Sequence, residues 1–419
     1  MLWRRFIQAI IVLSLVLAVI PIPVYEAGNY RTPITITEQS GNDLTDYQVK
    51  IVLDNTWDGW GHVSSDGSDI YFLDSSNNPL YYWIEEFDYS NQEATIWVKV
   101  PSIPASSSVT IYMYYGGDNP YASYNDPGNV FLWFDDFETD LSAWSLTIES
   151  GSIELSSDYV YTGSSSVKIV DTGSSSSDKN YMFRSVSFSE SIICEVMFYD
   201  ITGQSGSEAQ VLRFDDGTNK VIVGVSEASI ANDYGYRFGS TWYDTGIARS
   251  NGWHRLSIAW DDSVYKIYLD GQYIDSSPTG YGSPTYLELG SEWGEEASTF
   301  YYDTLIIRKY VDPEPSVSIG SSEAVGGGGP WFSASVSPSS VSVEPGDTIS
   351  FDVNVTNTGN ATGWIMVELR DHNNVCRDSI NITLSSGAWQ IVSLSTTAGD
   401  SERGDWTWYV LGYNDTTTF

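Results

Sequence analysis

Apolar and polar residues alternate in short runs broken by turn residues along most of the chain. The pattern is clearest between Gly252 and Ile274. There Leu256, Ile258 and Trp260 alternate with Arg255, Ser257 and Ala259; beyond Asp261-Asp262-Ser263, Tyr265, Ile267 and Leu269 alternate with Lys266, Tyr268 and Asp270. A period of two predicts strands with one buried face, and Asp270-Gly271 supplies the positive-φ turn of a tight hairpin. The segment is therefore expected to form an antiparallel meander with Leu256, Ile258, Trp260, Tyr265, Ile267 and Leu269 turned inward. Trp253 and Trp260 are both expected in the core.

The same rhythm divides the chain into modules. Strands are expected at 30–37, 46–53, 69–73, 81–87, 94–100 and 108–115, punctuated by Asn77-Asn78-Pro79, Pro101, Pro104 and Gly116-Gly117. Together they predict a β-sandwich over residues 30–129. A second module, 130–322, opens with Phe131-Leu132-Trp133-Phe134-Asp135-Asp136-Phe137-Glu138 and closes on the strand-like 299–308, with Pro313-Glu314-Pro315 at its exit. Residues 323–330 contain four consecutive glycines and read as a flexible linker. A third module fills 331–419. The fold class expected is all-β, as tandem β-sandwiches after an N-terminal hydrophobic segment.

That N-terminal segment, residues 1–27, reads as a signal peptide or membrane anchor. Arg4 and Arg5 precede a stretch from Phe6 to Val24 that is apolar except for Gln8 and Ser14. Ala27 is a candidate cleavage point, but Tyr25 is large where a small residue is preferred. Either fate places everything after Gly28 outside the cytoplasm, so an extracellular or cell-surface location is expected.

Charge narrows the partners. A formal net charge of −36 with only 19 Lys and Arg argues against nucleic acid, because phosphate binding needs clustered cations. Two cysteines, Cys194 and Cys376, are too few for a disulfide framework. His62, His254 and His372 fall in three different modules, so no histidine metal site or triad forms within one. His254 is expected to pack or hydrogen-bond at a sheet edge.

Three resemblances follow from particular motifs. Tyr30–Ile36, Gly67–Phe72, Leu80–Glu85, Trp97–Pro101 and Ile111–Gly116 together resemble the bacterial and archaeal domain-of-unknown-function family 2341, which implies location and company rather than chemistry. The Trp253-His254 opening, the acidic turn and Leu269-Asp270-Gly271 resemble the centre of a laminin-G/concanavalin A-like lectin domain. Val343-Glu344-Pro345-Gly346-Asp347, a strand, and then Val355 to Asn360 resemble the immunoglobulin-like CARDB adhesion modules of prokaryotic, archaeal surface proteins.

These resemblances imply candidate sites. First and last strands usually pair in lectin-like sandwiches, which would bring Asp136, Glu138 and Asp303 together as hard oxygen ligands for a structural Ca²⁺ ion. Aromatics in loop-like polar surroundings can stack on a sugar ring while nearby polar groups bind hydroxyls. Tyr234, Tyr236, Arg237, Trp242, Tyr243 and Trp293 fit that description. Laminarinase-type glycosidases share the concanavalin-like fold, but their Glu-x-Asp-x-x-Glu spacing is missing here. The acidic clusters Glu85-Glu86-Phe87-Asp88 and 292–296 lie in the first module and in a Gly-rich stretch. Catalysis is therefore not expected. Four sequons, at Asn354, Asn360, Asn381 and Asn414, mark the third module for glycosylation.

The function expected is extracellular, non-catalytic binding of a glycan or another cell-surface component through the second module. The alternative is a structural subunit of an archaeal envelope layer or filament, a homo-oligomer whose sandwich edges pair between chains. A glycoside hydrolase is the disfavoured third choice.

Overall fold

The computed structural model describes residues 30–173, 178–202, 210–226, 230, 232–291, 297–325, 332–338, 346–357, 362–371, 373, 375–385, 387–397 and 409–413. The hydrophobic segment at 1–27, the linker glycines, His372, Trp293, Asn360 and Asn414 lie outside these residues. Among the described residues helix is confined to Pro127–Val130 and a 3-10 turn at Ala122–Tyr124; the rest of the regular structure is strand. The fold is all-β, built as tandem sandwiches. The chain divides into two compact units, one holding Thr32–Tyr115 and Tyr121–Ser322, the other holding Gly116–Pro120 and Glu323–Phe419 with the N-terminal residues.

The first of these units contains two sandwiches. One sheet of the N-terminal sandwich orders its strands Ser316–Ile319, Tyr30–Thr37, Ser108–Tyr115, Tyr71–Leu73, Pro79–Leu80; the other orders Leu44–Leu53, Glu93–Ile103, Tyr82–Asp88. The chain thus returns to its first sheet after leaving the second sandwich. Ile34 lies opposite Ile319 and Ile36 opposite Val317. Residues 316–319, expected to belong to the second module, are an edge strand of the first. Alternation alone could not assign that short strand to a sheet.

The second sandwich packs an eight-stranded sheet on a seven-stranded one. The eight-stranded sheet runs Gly151–Ser156, Ser166–Asp171, Ser298–Lys309, Ile192–Asp200, Gly252–Asp261, Val264–Leu269, Gln272–Ser276, with Trp133–Asp135 also paired to Ser298–Lys309. The meander forms as its alternation requires. Leu256, Ile258, Trp260, Tyr265, Ile267 and Leu269 all lie in the core between the sheets. Asp270 and Gly271 take φ of +50° and +77°, the left-handed pair a two-residue hairpin needs. The opening and closing strands also meet, with Asp135 opposite Leu305 and Trp133 opposite Ile307.

The outward side chains of the eight-stranded sheet are only partly free. At one end Ile306 joins Trp83, Trp97, Val130 and Phe131 in an apolar cluster shared with the N-terminal sandwich. Beside it runs a chain of charges of alternating sign. Glu85 pairs with Arg255; Arg255 donates to Glu195 at 3.1 Å; Arg308 donates to Glu195 at 2.9 Å and to Glu314 at 2.9 Å. Burial opposes the charge on Glu195, but Arg308, Arg255 and Lys50 outweigh it and hold the carboxyl below its ordinary value. Alternating signs let charges enter an interface that would otherwise expel them.

The second unit carries two three-stranded sheets, Phe332–Ser337, Thr348–Asn357, Trp389–Thr397 and Cys376–Leu384, Gly363–Arg370, Tyr409–Tyr413. Ile349, Phe351, Val353 and Val355 alternate into their common core as the pattern requires. Asn354 and Asn381 are exposed. Cys194 is buried, Cys376 is exposed, and both are free.

Candidate functional site

The aromatic residues singled out from the sequence do not gather around one opening. Tyr234, Tyr236 and Arg237 belong to the strand Asp233–Phe238 rather than a loop, and all three are buried. Tyr234 is 0% exposed and cannot offer a ring face to a ligand. Tyr236 also faces the core, and its hydroxyl donates to Asp275 at 2.7 Å. Arg237 donates to the Gly239 carbonyl at 2.7 Å. Trp242 is half-buried against Val211 and Ile222. Tyr243 alone of the described set is substantially open, stacked on Tyr236 at 5.4 Å.

The three carboxylates considered for calcium are drawn to a different task. Asp303 is fully buried. Its Oδ2 accepts from Tyr161 N–H at 2.8 Å and Thr162 N–H at 3.3 Å, and its Oδ1 accepts from Thr304 N–H at 2.7 Å. Burial still pushes its carboxyl up to about 6. Glu138 Oε1 accepts from Ser164 N–H at 2.8 Å and Ser165 N–H at 2.9 Å, while its Oε2 takes the Ser164 hydroxyl at 2.6 Å. Asp136 accepts Glu138 N–H at 3.3 Å. Among the described residues no group of three or more His, Cys, Asp or Glu stands close enough to hold a metal. Asp303 and Glu138 are instead the N–H acceptors that fix the loop 161–165, so the three carboxylates do not form a cation site as they stand.

That loop forms one wall of a cleft of about 480 Å³ between the two sandwiches. Trp83, Glu85 and Glu86 come from the strand Tyr82–Asp88, Phe134 and Asp136 from the opening of the second sandwich, and Tyr161 from the loop. A β-bulge between Ile84 and Glu86 breaks the alternation there. Glu85 is buried and Glu86 exposed, yet both line the cleft. Glu85 is spent on structure: Trp97 Nε1 donates to it at 2.8 Å, and Arg255 pairs with it. Glu86 is exposed and Asp136 half-buried, so their oxygens can accept from a ligand. Trp83 meets Phe134 edge-on at 5.1 Å between ring centres. Burial, and then the negative charge of Glu85, push the Tyr161 phenol up to about 12, and its hydroxyl donates to Glu85 Oε1 at 3.5 Å.

Sequence reasoning missed this place because the Glu85-Glu86 pair lay in a different module from Asp136. It also misplaced Trp253, which faces outward. The signal was present: Trp253 is out of step with Leu256, Ile258 and Trp260, so it belongs to the opposite face of the strand. His254, which is in step with them, has its Nδ1 2.8 Å from Asp270.

Fold and cleft define a protein of tandem β-sandwiches with an aromatic-walled, acidic groove at their junction. Residues 66–147 match DUF2341, a domain of unknown function, so the match runs from the N-terminal sandwich into the start of the second. "Uncharacterized protein 562" of Sulfolobus islandicus rod-shaped virus 1 is 28% identical over 214 residues, covering 46% of this chain and 37% of that protein. The chain thus spans well under half the length of this relative. Among solved structures, "Cellulose induced protein, Cip1" is 15% identical, covers 42% of this chain and 97% of its own, and gives a TM-score of 0.35. The laminarinase from Flavobacterium sp. UMI-01 is 10% identical over 43% of this chain and 100% of its own, with a TM-score of 0.33. At such similarity nothing those proteins act on transfers to this chain.

Proposed function

We propose that the chain is an extracellular or cell-surface protein that binds a glycan, without hydrolysing it, in the cleft between its two N-terminal sandwiches. One observation carries this proposal. The cleft is of small-ligand size and sets the rings of Trp83, Phe134 and Tyr161 beside the carboxylates of Glu86 and Asp136. Rings offer apolar faces to pyranose C–H groups, and carboxylates accept hydroxyl hydrogen bonds. The non-catalytic part of the reading is supported by Glu85. Its oxygens already serve Trp97 and Arg255, so it is poorly placed to act as the acid or nucleophile of a carboxylate pair.

A glycan array probed with the full chain, in wild-type form and with Glu86→Gln and Asp136→Asn together, tests the proposal. Sugar binding by the wild type that the double substitution weakens supports it; equal binding by both would place the site elsewhere. Release of reducing ends from a bound glycan would overturn its non-catalytic part.

A second reading, an assembly-forming envelope or filament subunit, is favoured by one feature of the other unit. Trp389 and Ile391 are 65% and 54% exposed on the edge strand Trp389–Thr397. Exposed apolar residues on an unpaired edge invite strand pairing between chains. Concentration-dependent assembly abolished by Trp389→Lys would support it.

A further inference from the structure

Beyond Tyr161 of the cleft wall, a set of half-buried and exposed rings lies on the outer face of the eight-stranded sheet. On three adjacent strands Tyr301, Tyr199 and Trp253 lie opposite one another in register; Tyr301 is buried beneath Tyr159 and Lys168, while Tyr199 and Trp253 are half-buried. Tyr159, 38% exposed, stacks on Tyr199 with ring centres 4.1 Å apart. Tyr199 meets Trp253 at 5.3 Å, and Trp253 meets Tyr161 of the cleft at 5.7 Å. Ring contacts therefore run unbroken from Tyr159 to the cleft wall.

We infer that this aromatic row extends the cleft into a track for a linear glycan of several hexopyranose units. The inference rests on the glycan reading of the cleft. Three observations favour a sugar chain over other occupants. Tyr199, Trp253 and Tyr161 follow one another with ring centres 5.3 and 5.7 Å apart, intervals comparable with the repeat of an extended hexopyranose chain. The residues that make the track carry polar tips on apolar bodies, as sugar faces require, rather than the aliphatic side chains of a packed protein interface. Fixed polar groups stand at both ends: at the far one, Tyr301 donates to Asp158 at 3.2 Å and Lys168 pairs with Asp158 at 2.6 Å, and at the near one lie Glu86 and Asp136. The ligand named is thus a chain, with the cleft taking one unit and the row stacking those that follow.

The experiment is calorimetric titration of the full chain with gluco-, xylo-, manno- and N-acetylglucosamine oligosaccharides of increasing length, from disaccharide to hexasaccharide. In at least one series, affinity should rise with length and then level off. Tyr159→Ala and Trp253→Ala should each weaken hexasaccharide binding by roughly three- to tenfold while leaving the disaccharide unchanged. Tyr159 is exposed enough to lose its ring without unfolding the sandwich, which keeps the test meaningful if Trp253→Ala fails to fold. Binding that is independent of length and indifferent to Tyr159→Ala overturns the track but leaves the cleft reading intact. No binding in any series overturns both.

Discussion

Gly163 shows how tightly the cleft loop is held. Its φ is +74°, and a Cβ added there would run into the Glu138 carboxylate. Gly163→Ala should therefore cost about 1–2 kcal/mol from the left-handed backbone alone, read as a lowered unfolding temperature. Nearby, His254 gives a test of electrostatics. Burial works against its charged form, but the Asp270 carboxylate outweighs this and raises the ring's pKa above its ordinary value. A raised folded-state pKa contributes stability in full below the unfolded value near 6.5. That contribution is lost as pH rises through the folded value. His254→Gln should accordingly destabilise most at pH 5.5 and least at pH 8.5 in denaturant titrations. A gap independent of pH would show that the pair contributes packing rather than charge.

At the scale of the strand, parity decided what could be foreseen. The meander was legible because six apolar residues keep one phase for two strands, and all six are in the core. The same rule, applied to Tyr234 and Tyr236, would have shown them sharing a face with Phe238 while Gly235 and Arg237 take the other; their polar neighbours made the strand resemble a loop. Applied to Trp253, it would have moved that ring to the outer face. What no local pattern could show is the bulge at Ile84–Glu86, which depends on register with Thr95 and Ile96. The junction strands carry a prediction of their own. Arg255 is paired with Glu85 and Glu195, so Arg255→Ala leaves two buried carboxylates without it. Losing one partner of a buried charge network should cost about 3–5 kcal/mol in chemical denaturation. A loss below about 1 kcal/mol, the value of a surface pair, would contradict the buried role assigned to it.

For the whole molecule, the order of modules along the chain conceals how the first unit is built. The N-terminal sandwich is completed by 316–319, which follow the second sandwich, and the two share an apolar cluster and an ionic chain. Turns and glycines suggested where modules begin and end, but not the cleft at the junction, whose walls at Glu86, Asp136 and Tyr161 stand 50 and then 25 residues apart in sequence. Residues 30–325 should therefore unfold in one calorimetric transition. Two separated transitions would mean the sandwiches are independent and the cleft merely a crevice between them.

The central claim is that sugar is held at the junction rather than at the loops that first drew attention. Titrating one responsive oligosaccharide against wild type, Tyr161→Ala and Trp242→Ala tests it directly, with unfolding temperatures checked for each. The account predicts that Tyr161→Ala loses most of the affinity while Trp242→Ala keeps it. Retained binding in Tyr161→Ala with loss in Trp242→Ala would contradict it.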